Sequence, residues 1–256
     1  MTRRRLTWAV VAVVLAAAAV VAVGRIGPSG GPDEVVDAPS VPPRVYVAVG
    51  GCETFGAGST DAFRTSYPRL LFAGLPLPAT FVNFAVPGAL VAPTLGVVPV
   101  RSADLDPDVV TVWLGGADLV AGTPVADFER DLTALLDRMA APGRAVLVAN
   151  LPAFDEVPAA LVQLAGTGDW DACETDRLSL ATPEQAAAVG EWNAAIERAA
   201  DAAGATVVDV HGAFARARAG GGPDPLGGDG FFPSQAGHEA VAGAFSDALA
   251  AAGPGG

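Results

Sequence analysis

Residues 45–56, VYVAVGGCETFG, join a short apolar run to a glycine-rich turn. The run at 45–49 is rich in β-branched residues, which favour buried strands. Similar runs recur at residues 80–84, 109–114, 145–148 and 206–210. The glycine-rich turn therefore follows directly on the first of five predicted strands.

Longer stretches with apolar residues at helical spacing separate these runs. The sequence predicts helices near residues 62–73, 125–140, 183–203 and 234–251. Alternating strands and helices imply a parallel sheet covered on both faces, so we expect an α/β fold, a three-layer α/β/α sandwich around a five-stranded parallel sheet. Functional sites in such sheets lie beyond the carboxyl ends of the strands. The irregular stretch 152–180 follows a predicted strand, so we expect it to cover that edge.

The N-terminus has the layout of an export signal. Three consecutive arginines, residues 3–5, precede a run from residue 8 to 23 that contains no polar residue. Residues 1–24 are thus predicted to be a signal peptide or an uncleaved membrane anchor, the anchor comprising residues 7–23, and both alternatives stay open. Either places the remainder outside the cytoplasm, secreted or held at the membrane. A Gly/Pro-rich linker at 25–43, a domain at 44–252 and a short tail at 253–256 complete the predicted organisation.

Composition excludes several classes of ligand. The net charge is −13, which disfavours nucleic-acid binding because few basic groups are available to neutralise phosphates. Two histidines and two cysteines, far apart in sequence, do not form a metal-ligand pattern. We therefore predict no metal, no cofactor and no nucleic-acid partner.

Four sequence blocks fall at or near expected loop positions. They are GGCETFG at 50–56, NFAVPGA at 83–89, WLGGADL at 113–119 and DGFFPSQAGH at 229–238. Their order and placement resemble the sequence blocks of SGNH/GDSL hydrolases, a family of serine esterases, lipases and acetylhydrolases with a flavodoxin-like fold. The resemblance extends from about residue 44 to residue 251.

The resemblance implies a role for one position in each block and for a second position in the last. Cys52 occupies the place of the nucleophilic serine, Gly88 that of the backbone oxyanion donor, and Ala117 that of the asparagine donor. Asp229 occupies the place of the aspartate that orients the base, and Phe232 that of the histidine base. Since a methyl group donates no hydrogen bond and a phenyl ring accepts no proton, we expect a pseudoenzyme or a severely impaired enzyme.

A cysteine nucleophile is the alternative, which would make the chain an active esterase or deacetylase. Cys52 would then need a base, and Glu53, His211 and His238 are the candidates. His238 is expected to pack within the last helix, and His211 to lie near the correct edge of the sheet. Glu53 would also oppose a neighbouring thiolate through like-charge repulsion.

The cysteines allow a further arrangement. If the stretch 152–180 folds over the site, Cys173 could form a disulfide with Cys52, whereas two separate thiols are the other possibility. The sequence thus leaves three functions open: a binding module for an ester or acetylated sugar, an active esterase, and a structural or partner-binding domain without a ligand. It leaves the oligomeric state undetermined.

Overall fold

The computed structural model describes residues 44–154, 173 and 183–253. Five parallel strands form one sheet in the order β2-β1-β3-β4-β5. The strands are β1 (Arg44–Gly50), β2 (Ala79–Asn83), β3 (Val109–Trp113), β4 (Ala145–Ala149) and β5 (Thr206–Val208). The predicted five-stranded parallel sheet is confirmed.

Helices cover both faces of this sheet. In chain order they are α1 (Cys52–Phe55), α2 (Tyr67–Ala73), α3 (Val91–Ser102), α4 (Gly116–Ala121), α5 (Val125–Met139), α6 (Pro183–Ala203), α7 (Val210–Ala219) and α8 (Gln235–Ala252), with one 3₁₀ turn at Ala103–Leu105. Alternate residues of each strand point to opposite faces. Val110 and Val112 of β3 accordingly pack with α5 and α6, whereas Leu147 and Ala149 of β4 pack with α7 and α8. This is the predicted three-layer sandwich.

Several helix boundaries differ from the sequence prediction. The helix predicted at 62–73 begins at Tyr67, with Pro68 in its first turn. The strand predicted at 206–210 ends at Val208, because the Asp209 side chain accepts a hydrogen bond from the Gly212 N–H and caps α7. Helix α3 was not predicted, since two prolines and a glycine within it hide its helical pattern.

The predicted N-terminal elements lie outside the described residues, as does most of the predicted tail. The leader at 1–24 and the linker at 25–43 both precede residue 44. Among the helices between residues 44 and 253 that the structure describes, none has the length and apolarity needed to cross a membrane. The leader and linker remain predictions.

His238 connects helix α8 to the segment that runs from the end of α1 to the start of α2. It is fully buried, its Nδ1 accepts the Tyr67 N–H at 3.2 Å, and its Nε2 donates to the Ala57 carbonyl at 2.8 Å. Burial lowers the pKa of this imidazole to about 4, so the neutral form holds both bonds. As the sequence predicted, His238 is a packing residue.

Replacing His238 with alanine should lower the free energy of unfolding by about 2–4 kcal/mol, because two buried backbone groups lose their partners. Unfolding raises the pKa of His238 from about 4 to 6.5, so the unfolded chain takes up a proton between these values. Wild-type stability should therefore have a component that is lost as pH falls from 6.5 towards 4, and His238→Ala should lack it. Urea unfolding at pH 5 and pH 7.5 measures both effects. The exposed His211→Ala is the control, and an equal loss in that variant would contradict this assignment.

Candidate active site

The site lies where three adjacent strands end. Strand β1 pairs with β2 through Ala48 and Asn83, and with β3 through Gly50 and Trp113. Because all three strands are parallel, the loops that follow them emerge at the same edge. Three of the four sequence blocks therefore meet over the carboxyl end of β1.

Gly50 is required by a close approach inside the first loop. A Cβ atom at this position would lie 2.6 Å from the Trp113 carbonyl oxygen and closer still to the Thr54 hydroxyl. The Thr54 side chain folds back over Gly50, and its Oγ1 lies 3.0 Å from the Tyr67 hydroxyl. The small residue and the threonine of this block thus set the turn that presents Cys52.

Cys52 is the first residue of α1 and is 4% exposed. The backbone N–H of Gly88 points to its sulfur, with 3.4 Å between Gly88 N and Cys52 Sγ. Gly88 adopts a φ of 69°, a left-handed conformation that glycine accepts readily. The predicted nucleophile position and the predicted oxyanion donor are therefore in contact.

The Cys52 sulfur is bonded to that of Cys173. The two Cα atoms lie 5.4 Å apart across 121 residues of sequence. Cys173 is the single residue between 155 and 182 that the structure describes. Of the two arrangements that the sequence left open, the structure has the disulfide. The prediction that residues 152–180 cover the site falls mostly outside the described part of the chain.

Two polar side chains fasten the neighbouring loops to one another. Asn83 donates from Nδ2 to the Thr54 carbonyl at 3.1 Å, and its Oδ1 accepts the Ala85 N–H at 2.9 Å. Asp118, which is 2% exposed, accepts the Val91 N–H at 3.2 Å and so holds the start of α3. Burial raises the pKa of the Asp118 carboxyl to about 6. These bonds hold the three loops in position relative to one another.

Asp229 and Phe232 stand in one tight turn before α8. Asp229 Oδ1 accepts the N–H groups of Phe231 and Phe232, each at 2.8 Å. The Phe232 ring is 2% exposed and belongs to the same buried cluster as Cys52. The aspartate therefore holds the turn, and an apolar ring stands where the resemblance places a base.

An aromatic pair that the sequence did not predict packs at the same edge. Phe154 and Phe231 stack with ring centroids 4.5 Å apart, and the Phe231 ring lies over Gly116. A Cβ on Gly116 would approach the Phe231 ring at 3.4 Å. Phe231 could have been suspected only because it neighbours Phe232, since neither ring falls in a periodic pattern.

Glu53 points into a small cavity beside these rings. The cavity is lined by Gly51, Glu53, Ala89, Trp113, Leu114, Gly115, Gly116 and Ala117. The space open to the centre of a water molecule is about 10 Å³, room for about one water. Ala117, which the resemblance places at the asparagine position, also lines this cavity. Burial raises the pKa of the Glu53 carboxyl to about 7, opposed by a bond to its own backbone N–H.

The two histidine rings contact backbone groups of other segments. His238 uses both ring nitrogens on backbone groups, as described above. His211 lies in the first turn of α7, just after β5. Its Nδ1 lies 3.2 Å from the Leu151 carbonyl oxygen, and the residue is exposed. Three strand spacings, about 14 Å in total, separate the ends of β5 and β1. The described residues contain no group of three or more His, Cys, Asp or Glu side chains placed to hold a metal ion.

A model of the GDSL-like lipase/acylhydrolase family matches residues 48–240, which is most of the chain. The chain belongs to this family. The match spans all four blocks, so the predicted family is confirmed, although the roles assigned to single residues within it remain predictions. No match was found among curated proteins.

Solved structures of GDSL-family and other hydrolases share the fold. The lipase/acylhydrolase from Enterococcus faecalis is 18% identical with a TM-score of 0.59, covering 82% of this chain and 96% of its own. LAE5, an alpha/beta hydrolase enzyme from the metagenome of Lake Arreo, is 22% identical with a TM-score of 0.59, covering 81% and 95%. A catalytic mutant of Axe2, an acetylxylan esterase from Geobacillus stearothermophilus, is 18% identical with a TM-score of 0.59, covering 80% and 94%. At these identities the likeness supports the fold alone.

Removal of the disulfide should destabilise the domain. Replacing both cysteines with alanine frees a loop of 121 residues in the unfolded chain, and the expected loss is about 2–5 kcal/mol of unfolding free energy. Urea unfolding of Cys52→Ala/Cys173→Ala against wild type measures it. The wild-type protein with reductant is the matched control and should approach the variant, whereas an unchanged urea midpoint in both would contradict a stabilising bridge.

Glu53→Gln should remove part of the pH dependence of stability. Folding raises the pKa of Glu53 from 4.5 to about 7, so the folded protein binds the proton more tightly and loses stability as pH rises through this range. The variant carries no such group, and its stability relative to wild type should increase by about 1–3 kcal/mol between pH 4.5 and pH 8. Asp118 adds a similar slope in both proteins. Unfolding curves at the two pH values, with exposed Glu239→Gln as control, test this, and parallel curves for wild type and Glu53→Gln would refute it.

Proposed function

We propose that this chain is an exported, non-hydrolytic member of the GDSL-like family, whose strand-end loops form a binding site. The bond between Cys52 and Cys173 is the observation that carries the proposal. A sulfur in a disulfide is not a thiolate and therefore cannot act as the nucleophile that attacks an ester carbonyl. The family's first chemical step therefore has no nucleophile while the bridge is intact.

The surroundings of Cys52 support the same conclusion. A catalytic serine or cysteine needs a neighbouring base, but Phe232 is apolar and His238 is engaged on both nitrogens. His211 follows β5, and strands β3 and β4 lie between β5 and β1 in the sheet. Glu53 is the neighbour of Cys52 in sequence, but its carboxyl lines the cavity at Gly116 and stays largely protonated below pH 7.

The oxyanion site is also incomplete. Gly88 retains its N–H, but Ala117 has no donor, and the loss of one donor typically costs about 10²–10³ in rate. Glu53 lines the cavity beside Ala117. Once ionised, its carboxylate would repel the negative charge that develops on an acyl oxygen. The two changes act in the same direction.

Export is proposed from the N-terminal residues and fits the disulfide. Disulfides persist in oxidising compartments and are rare in the cytosol. The arginine-led apolar run at 3–23 would send the domain to such a compartment. We propose that the domain acts outside the cytoplasm, either secreted or held at the membrane by residues 7–23.

The ligand class is proposed from the family. Among the structures that share the fold, Axe2 is an acetylxylan esterase and LAE5 an alpha/beta hydrolase enzyme. An ester or acetylated sugar is therefore the ligand that we propose for the strand-end loops, and only a group of about the size of one water would enter the cavity lined by Gly116 and Ala117. Calorimetry with acetylated xylo-oligosaccharides, and with the same sugars after deacetylation, tests this. Ala117→Leu should abolish binding and Ala250→Leu, on the exposed side of α8, should not.

A thiol-dependent esterase is the second candidate. It is favoured by one contact, the Gly88 N–H directed at the Cys52 sulfur, which would also serve a tetrahedral intermediate formed there. Such an enzyme would act only after the bridge to Cys173 is opened.

The hydrolysis assay separates these candidates. The full chain in mild detergent, free of reductant, should hydrolyse p-nitrophenyl acetate and butyrate no faster than Cys52→Ala, because it has no free nucleophile. Turnover by the oxidised wild type that disappears in Cys52→Ala would refute the non-hydrolytic proposal. Turnover that appears only with reductant, and only in the protein that retains Cys52, would establish the esterase.

A further inference from the structure

The two sulfurs of the bridge differ in access. Cys52 is 4% exposed and lies in the buried cluster that contains Phe232. Cys173 is partly buried and packs against that cluster. An external thiolate must reach the sulfur that it attacks, so access favours attack on Cys173.

The two sulfurs also differ as leaving groups. When a thiolate attacks one sulfur of a disulfide, the electron pair of the broken bond passes to the other sulfur. Cys52 Sγ already accepts the Gly88 N–H at 3.4 Å. A hydrogen bond to a developing thiolate stabilises it and lowers the barrier to its departure. The Gly88 N–H, which would otherwise serve acyl chemistry, therefore favours the departure of Cys52 and offsets the cost of forming a buried thiolate.

We propose that Cys173 is a site of thiol exchange, at which a small external thiol forms a mixed disulfide and releases Cys52 as a thiolate held by Gly88. The incoming thiolate forms a bond to Cys173 Sγ as the Cys52–Cys173 bond breaks. The electron pair goes to Cys52 Sγ. No separate oxidant or reductant is needed for this step, and a second thiol would complete the reduction of Cys173.

Glu53 limits the lifetime of the released thiolate. Its carboxyl is adjacent in sequence to Cys52, and below pH 7 it is mostly uncharged because burial raises its pKa to about 7. Above that pH its charge opposes the Cys52 thiolate and favours renewed closure of the bridge. This effect adds to the proposal, which stands on access and on the Gly88 contact.

Mass mapping of the wild-type protein tests the direction of exchange. The full chain in mild detergent is incubated with reduced glutathione, quenched with acid, labelled with N-ethylmaleimide and digested. We expect glutathione on Cys173 and maleimide on Cys52, with at least about a tenfold excess over the reverse pattern. Equal labelling, glutathione mainly on Cys52, or exchange only in denaturant that unfolds the protein would overturn the proposal.

Two single-cysteine variants give a second reading that does not depend on access. Thiolate absorbance is followed against pH in Cys173→Ser, which retains Cys52, and in Cys52→Ser, which retains Cys173. The Cys52 thiol should titrate at the lower pH, because the Gly88 N–H stabilises its ionised form by more than apolar burial opposes it. A higher pKa for Cys52 would overturn the leaving-group argument. The outcome is independent of the ester assay, because neither measurement involves hydrolysis.

Discussion

Strand β1 hydrogen-bonds to β2 on one side and to β3 on the other, and this double pairing fixes where the functional loops lie. The ladders set Ala48 opposite Asn83 and Gly50 opposite Trp113, so the chain leaves all three strands at the same edge of the sheet, β2 two residues earlier than β1 and β3. The Gly88 amide can then reach the Cys52 sulfur, and Asp118 can hold the start of α3. The register of the sheet therefore determines which loops lie together, and the side chains on those loops then determine the chemistry of the site.

Much of this arrangement could be predicted from the sequence, because buried parallel strands are continuous runs of β-branched residues. The strands have such runs, and the long helices have apolar residues at helical spacing. Helix α3 could not be predicted, since Pro99 lies inside it and Pro93 in its first turn, and prolines within a run usually indicate the end of a helix. The C-terminal end of β5 depends on whether Asp209 extends the strand or caps the following helix. Its side chain caps α7, and the sequence alone does not distinguish these two roles.

The sequence predicted in which loops the candidate site residues lie, but it did not predict whether Cys52 is bonded or Glu53 is protonated. The sequence placed Cys52, Gly88, Ala117, Asp229 and Phe232 in strand-end loops or in the turn before the last helix, as a family resemblance allows. Bonding between Cys52 and Cys173 depends on a Cα separation of 5.4 Å between residues 121 apart, which no local pattern encodes. The protonation of Glu53 likewise depends on the cavity around it rather than on its neighbours in sequence.

The turn at Asp229 has a consequence for how diverged relatives of such enzymes are interpreted. Its carboxylate accepts two backbone N–H groups, a role that persists whether or not a histidine follows three residues later. Selection for correct folding alone could therefore keep an aspartate here long after turnover is lost. In a chain of this kind, a surviving acidic residue is evidence of an intact scaffold, and the capacity for hydrolysis has to be judged from the nucleophile and the base.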